Sequence, residues 1–90
     1  MLEKEVILNN EGGLHARAAA LFVQAANRFI SSIYVELDGV RIDGKSIVGV
    51  MSLGAFQGER IKLIARGEDE REALEELTEL LQHGLEDVQI

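Results

Sequence analysis

The sequence predicts a two-layer α+β domain in which three helices cover one face of a four-stranded sheet. Segments with two-residue and 3.6-residue apolar periods follow one another as strand, helix, strand, strand, helix, strand, helix. Each helical segment carries a single apolar stripe, so each needs one surface to cover and no more. Finally, 90 residues with no proline, no internal repeat and no linker-like run suit one domain with one modest core.

Leu2 to Leu8 reads as the first strand, with Leu2, Val6 and Leu8 on one face and Ile7 blurring the alternation. Asn9 to Gly13 forms a loop. From Ala16 to Asn27, Ala19, Phe22, Val23 and Ala26 recur at i, i+3, i+4 and i+7, the stripe of an amphipathic helix. Ile33, Val35 and Leu37 alternate, Asp38-Gly39 signals a two-residue hairpin, and Val40 and Ile42 resume the alternation on a second, antiparallel strand. Ser46 precedes Ile47 to Leu53, enough chain for two helical turns closed by Gly54. Ile61, Leu63 and Ala65 mark the fourth strand, which ends at Gly67. The third helix opens at Asp69, whose carboxylate is expected to pair with Glu72 in a capping box. Its buried stripe is Ala73, Leu74, Leu77, Leu80 and Leu81, and Gly84 stands near its stop. Periodicity does not give the strand order.

A formal net charge of −7 argues against nucleic acid or an anionic membrane as a partner, since both are bound by basic surface. The acids gather in Glu68, Asp69, Glu70, Glu72, Glu75, Glu76 and Glu79, which reads as a solvated helix face. Such a chain attracts a small free anion poorly; an anionic group delivered on another protein avoids the problem. Without cysteine there is no disulfide framework, thiolate metal site or thiol nucleophile. No stretch approaches the roughly 18 apolar residues of a membrane span, and Met1 to Glu5 has no basic region leading into an apolar run. A soluble cytoplasmic protein is expected. His83, at the glutamate-rich helix end, reads as a solvated side chain, and no metal site is expected.

The most informative stretch is Gly13-Leu14-His15-Ala16-Arg17, which sets an imidazole where an alanine-rich helix begins. Serine, threonine, aspartate or asparagine is the ordinary choice there, because a short oxygen side chain accepts from the first free amides. Breaking that rule just after Gly12-Gly13 points to function. A histidine that accepts a phosphoryl group needs an accessible ring nitrogen with a lone pair and surroundings that tolerate a dianion. A helix start supplies outward N–H groups, here those of Ala16 and Arg17, together with the positive end of the macrodipole. The Arg17 guanidinium adds a fork of donors for phosphoryl oxygens. The same residues also fit an exposed loop histidine beside a helix-favouring arginine.

The pattern makes Ser46 first an ordinary helix cap; its functional alternative is an acceptor for a regulatory phosphate, which the helix start would accommodate without unfolding. Lys45 is either a solvated charge or a kinase contact. Gly39 to Ser46 fits the P-loop pattern G-x-x-x-x-G-K-S/T letter for letter. Its middle nevertheless alternates as a strand, whereas a phosphate cradle needs an open loop, and Ile61 to Ala65 runs into Arg66-Gly67 rather than a magnesium-holding aspartate. Nucleotide binding is therefore not expected.

Gly13 to Ala19, then Lys45 to Gly54, then Gly67-Glu68-Asp69 closely resemble HPr, the histidine phosphocarrier family of the bacterial sugar phosphotransferase system. The resemblance covers nearly the whole chain. It implies an open-faced β-sandwich, with three helices on one side of a four-stranded antiparallel sheet. It implies that Enzyme I, charged by phosphoenolpyruvate, phosphorylates His15 on Nδ1 and that the group passes to IIA domains of sugar transporters. Arg17 matches the family's active-site arginine. Ser46 matches a serine modified by a dedicated HPr kinase/phosphorylase, whose product assists a catabolite-control repressor. Docking is implied at Ala16, Ala20, Ile47, Val48 and Met51, on a monomer that needs no cofactor. An HPr-like regulatory module acting mainly through Ser46 is the alternative, against which the presence of His15 counts. The family usually has proline where this chain has Ala18, so the first helical turn is expected to be less constrained. Val48 is smaller than the Met or Phe common there.

Overall fold

In the computed structural model, which describes residues 1–85, alternating apolar residues build four strands: β1 (Leu2–Ile7), β2 (Ser32–Leu37), β3 (Val40–Asp43) and β4 (Arg60–Arg66). Helix α1 (Ala16–Ala26) follows β1, α2 (Ile47–Ser52) follows β3, and α3 (Glu70–Glu79) follows β4 and runs on as a π-helical turn over Leu80–Gly84. Within the described residues this is the order expected from periodicity.

The sheet order is β1-β4-β2-β3, and every neighbouring pair is antiparallel. The centre goes to the most apolar strands: in β4, Ile61, Leu63, Ile64 and Ala65 are all buried, whereas β1 carries Glu3, Lys4 and Glu5 and β3 carries Arg41 at the edges. On the covered face Val6, Ile33, Val35, Ile61, Leu63 and Ala65 meet Phe22, Ala26, Val50, Ala73, Leu77 and Leu81 from the helices, forming one core. The other face is bare of helices. There Ile64 lies between its register partners Glu3 and Tyr34, while Lys62 bridges Glu3 at 3.7 Å and Glu36 at 4.0 Å. The β2–β3 hairpin turns through Asp38 and Gly39, both with positive φ (50° and 82°), as a two-residue turn matched to strand twist requires.

One expected cap is absent. Asp69 precedes α3, but its side chain makes no capping hydrogen bond, and the pairing with Glu72 does not form. The carboxylate turns instead to the segment before β2, accepting the Ile30 and Ser31 amides, each at 2.9 Å, and the Ser31 hydroxyl at 2.5 Å. Glu70 accepts the Gly67 amide at 3.0 Å and pairs with the N-terminal ammonium of Met1 at 3.2 Å. Glu68, Glu72, Glu75, Glu76 and Glu79 are exposed as expected; Asp69 and Glu70 leave that solvated face and act as ties.

The Ser31 hydroxyl, then the Ile30 amide, hold the Asp69 carboxyl below its ordinary value, and the Gly67 amide lowers Glu70 likewise. A carboxylate with a depressed folded-state pKa stabilises the fold above its unfolded-state value and loses that contribution as pH falls through the folded-state value. The thermal midpoint is therefore expected to hold down to about pH 4 and to decline below it. Asp69→Asn should lower the midpoint at neutral pH and flatten the acid limb. Parallel acid limbs for parent and variant, followed by circular dichroism, would show that the Ser31 clamp contributes nothing.

Candidate functional site

Antiparallel pairing of β1 with β4 sets Ile7 opposite Arg60, so the loop leaving β1 and the loop entering β4 emerge at the same end of the sheet. They are stitched together: the Leu8 amide donates to Glu59 O at 3.0 Å, the Gly58 amide to Leu8 O at 2.7 Å, and the Leu14 amide to Ala55 O at 2.9 Å. Gln57 Nε2 adds a bond to Asn9 O at 3.1 Å. Gly12 and Gly13 turn the chain with φ of +82° and +57°. A Cβ on Gly13 would lie 2.4 Å from Ala55 O, so both the conformation and the close approach require glycine there.

This loop delivers His15 to the N-cap of α1 in extended backbone (φ −69°, ψ 178°). Its Nδ1 accepts the Arg17 amide at 3.2 Å, and its carbonyl accepts the Ala19 amide at 2.8 Å. A ring nitrogen that accepts a hydrogen bond presents a lone pair, which places the proton of the neutral ring on Nε2. The Nε2 atom is shielded from solvent and has no hydrogen-bond partner among the described residues. The ring is thus half-buried and held, not freely exposed. The expectation that the Arg17 amide stands free at the helix start is corrected: the ring itself takes that hydrogen. The Ala16 amide has no acceptor among the described residues. Ala16 and Arg17 are exposed, whereas Ala18 is fully buried in the core.

Ser46 caps α2, its Oγ accepting the Gly49 amide at 3.1 Å. Lys45 is half-buried and tethered: its Nζ donates to Phe29 O at 2.6 Å, and its carbonyl accepts Asn27 Nδ2 at 3.2 Å. In the P-loop-like match Val40–Asp43 is strand paired with β2, and no phosphate-cradling loop forms. Ile47, Val48 and Met51 are exposed on α2, Val48 at 74%, and α2 packs beside α1, where Ala20 is half-buried. His83 is exposed. Among the described residues no three His, Asp or Glu side chains gather as a metal site, and no helix is long and apolar enough to cross a membrane.

Two residues beside Gly13, in the loop that leads to His15, had no signal in the sequence. Asn10 is buried in the loop, and Phe56, following the Ala55 that holds Leu14, is 66% exposed. Asparagine in a loop reads as an exposed turn residue, so the pattern of the sequence does not mark its burial.

A small four-stranded sandwich with a nitrogen-capped helix start defines a class before any comparison is made. A family model described as the phosphorylation site of the PTS HPr component matches residues 2–83. The HPr-like protein Crh of Bacillus subtilis is 50% identical over 82 residues, 91% of this chain and 96% of its own. Its crystal structure, a dimer with a swapped domain, has a TM-score of 0.74 at 49% identity, covering 90% of this chain and 93% of that one. Phosphocarrier protein HPr of Treponema pallidum is 44% identical over 87 residues, 97% of this chain and 99% of its own. An HPr structure from Thermoanaerobacter tengcongensis gives a TM-score of 0.88 at 51% identity, over 90% of this chain and 91% of that one. The chain belongs to the HPr family of the phosphotransferase system.

The Ser46 cap is expected to contribute about 1 kcal/mol. Ser46→Ala should therefore lower the thermal midpoint by about 4–8 °C for a domain of this size. An unchanged calorimetric midpoint would show that α2 does not depend on its cap.

Proposed function

We propose that the chain is a phosphocarrier that accepts a phosphoryl group on His15 Nδ1 from Enzyme I, itself charged by phosphoenolpyruvate, and passes it to IIA domains of sugar transporters. The observation that carries this reading is the imidazole at the N-cap of α1, with Nδ1 turned to the Arg17 amide. In the proposed step the Nδ1 lone pair attacks phosphorus, the N–P bond forms as the donor's bond to phosphorus breaks, and the donor keeps that electron pair. The Arg17 amide loses the lone pair it had been donating to and is left facing a phosphoryl oxygen. The Ala16 amide and the Arg17 guanidinium supply further donors, and the macrodipole favours the added negative charge. A shallow site suits a carrier. It has to release what it binds, so a few donors at a helix start serve it better than a closed pocket.

In this reading the partners dock on Ala16, Ala20, Ile47, Val48 and Met51, and the protein works in the cytoplasm as a monomer without a cofactor. Incubation with Enzyme I and labelled phosphoenolpyruvate is expected to put acid-labile label on the parent and none on His15→Ala. Label on a folded His15→Ala protein overturns the assignment. Because the Crh relative crystallised as a swapped dimer, mass by light scattering at assay concentration accompanies the experiment, with a monomer expected.

A second role is favoured by the Crh resemblance and by the place of Ser46 at a helix start. Here an HPr kinase/phosphorylase transfers phosphate from ATP to the Ser46 hydroxyl, and the product engages a catabolite-control repressor. The kinase is expected to label the parent and not Ser46→Ala, with label that survives acid. Ser46→Asp, a partial mimic of the added charge, should slow labelling of His15 by about tenfold through repulsion at the shared docking face. Equal His15 labelling of Ser46→Asp and parent would separate the two sites.

A further inference from the structure

Asn10 has no part in the carrier reading, yet it is one of the few buried polar residues, only 5% exposed. Its Nδ2 donates to Gly13 O at 2.7 Å and reaches Glu11 O at 3.4 Å, while its backbone carbonyl accepts the Gly13 amide at 3.1 Å. Two carbonyls on one side fix which end of the amide is nitrogen. Oδ1 is thereby forced the other way, where it is buried without a hydrogen-bond partner among the described residues. Burying an unpaired acceptor is unfavourable, and an aliphatic side chain would fill the space without that penalty. What the asparagine adds is the bond made by its nitrogen.

That bond has a definite target. The Gly13–Leu14 peptide unit is gripped at both polar atoms, its carbonyl by Asn10 Nδ2 and its amide by Ala55 O at 2.9 Å. His15 follows immediately. The turn before it runs through two glycines of positive φ, which have no side chains of their own to restrain it. We infer that Asn10 is a positioning residue of the phosphoryl-accepting site: it clamps the Gly13–Leu14 peptide and so keeps His15 Nδ1 on the Arg17 amide. The inference rests on the carrier reading for its kinetic consequence, but not for its effect on the ring.

Asn10→Ala removes the donor; Asn10→Ser keeps a hydroxyl able to donate to Gly13 O. With Enzyme I as phosphodonor, Asn10→Ala should lower kcat about tenfold and leave KM for Enzyme I unchanged, since a buried side chain touches no partner. Asn10→Ser should recover part of the loss. In the unphosphorylated protein, long-range 1H–15N spectra of the imidazole should show a single tautomer protonated on Nε2 in the parent, and both tautomers in Asn10→Ala. A purely structural role would lower the thermal midpoint without moving the ring spectrum or kcat, and that result overturns the proposal. If Asn10→Ala does not fold, Asn10→Ser decides: a parental ring spectrum with a slowed kcat, or the reverse, counts against it. A parent that takes no label fails the carrier reading, while the ring spectra still decide the role of Asn10.

Discussion

An α-helix begins with amide hydrogens that its own carbonyls cannot reach, and in α1 an imidazole nitrogen takes the one on Arg17. Serine or aspartate would do this with a shorter, stronger acceptor. The ring gives up some of that capping energy and gains a fixed orientation, with one nitrogen presenting its lone pair to the helix start and the other shielded. For the proposed carrier the bond that stabilises the resting helix is the one that a phosphoryl group would replace. Capping and nucleophilic attack draw on the same lone pair, so a ring that slips off the cap has also lost its aim.

The fold supplies the rigidity that such a cap needs. Because β1 and β4 run antiparallel, the loop carrying His15 shares one end of the sheet with residues 55–59, and backbone bonds between Leu8, Leu14, Ala55, Gly58 and Glu59 join the two loops. β4 is an interior strand whose Ile61, Leu63, Ile64 and Ala65 are all buried, so this seam hangs from a strand held by two neighbours and by the core. From the other side Ala18, Ala19 and Phe22 anchor the first turns of α1 in the core. The histidine is fixed by its neighbours on both sides although it stands at the surface.

The features read correctly from the sequence are those whose cause is local. The Asp38-Gly39 turn, the Ser46 cap, the closing Gly54 and the break of capping rules at His15 are each set by residues within a few positions of one another. The reading failed where the partner lies far away in the chain. Nothing near Asp69 distinguishes a helix cap from a clamp on Ser31, 38 residues earlier, and the amides of Ile30 and Ser31 prevailed because they offer several donors at once. The tether of Lys45 was not legible either, because the Phe29 carbonyl that accepts from its Nζ is 16 residues away. Asn10 is a different case: the carbonyls its side chain meets are within three residues, but an asparagine in a loop reads as an exposed turn residue, and nothing beside it marks its burial or its orphan oxygen. Strand order depends on comparing the burial of whole strands, which no window of a few residues contains.

The two proposed phosphate sites stand at opposite ends of one helix. Asn27, at the C-terminal end of α1, donates to the Lys45 carbonyl beside Ser46, while His15 caps the N-terminal end of the same 11-residue helix. At a rise of about 1.5 Å per residue the separation is about 16 Å. That is about two screening lengths at physiological ionic strength, so one phosphate is nearly invisible to the other through solvent. In the proposed carrier, interference between them therefore has to act on a partner broad enough to cover both helix ends. The exposed Ile47, Val48 and Met51 adjoin Ser46 on α2, where a dianion would be hard to desolvate under a docked apolar surface. Regulation at Ser46 would then exclude partners from the shared face and leave the chemistry of the His15 ring as it was.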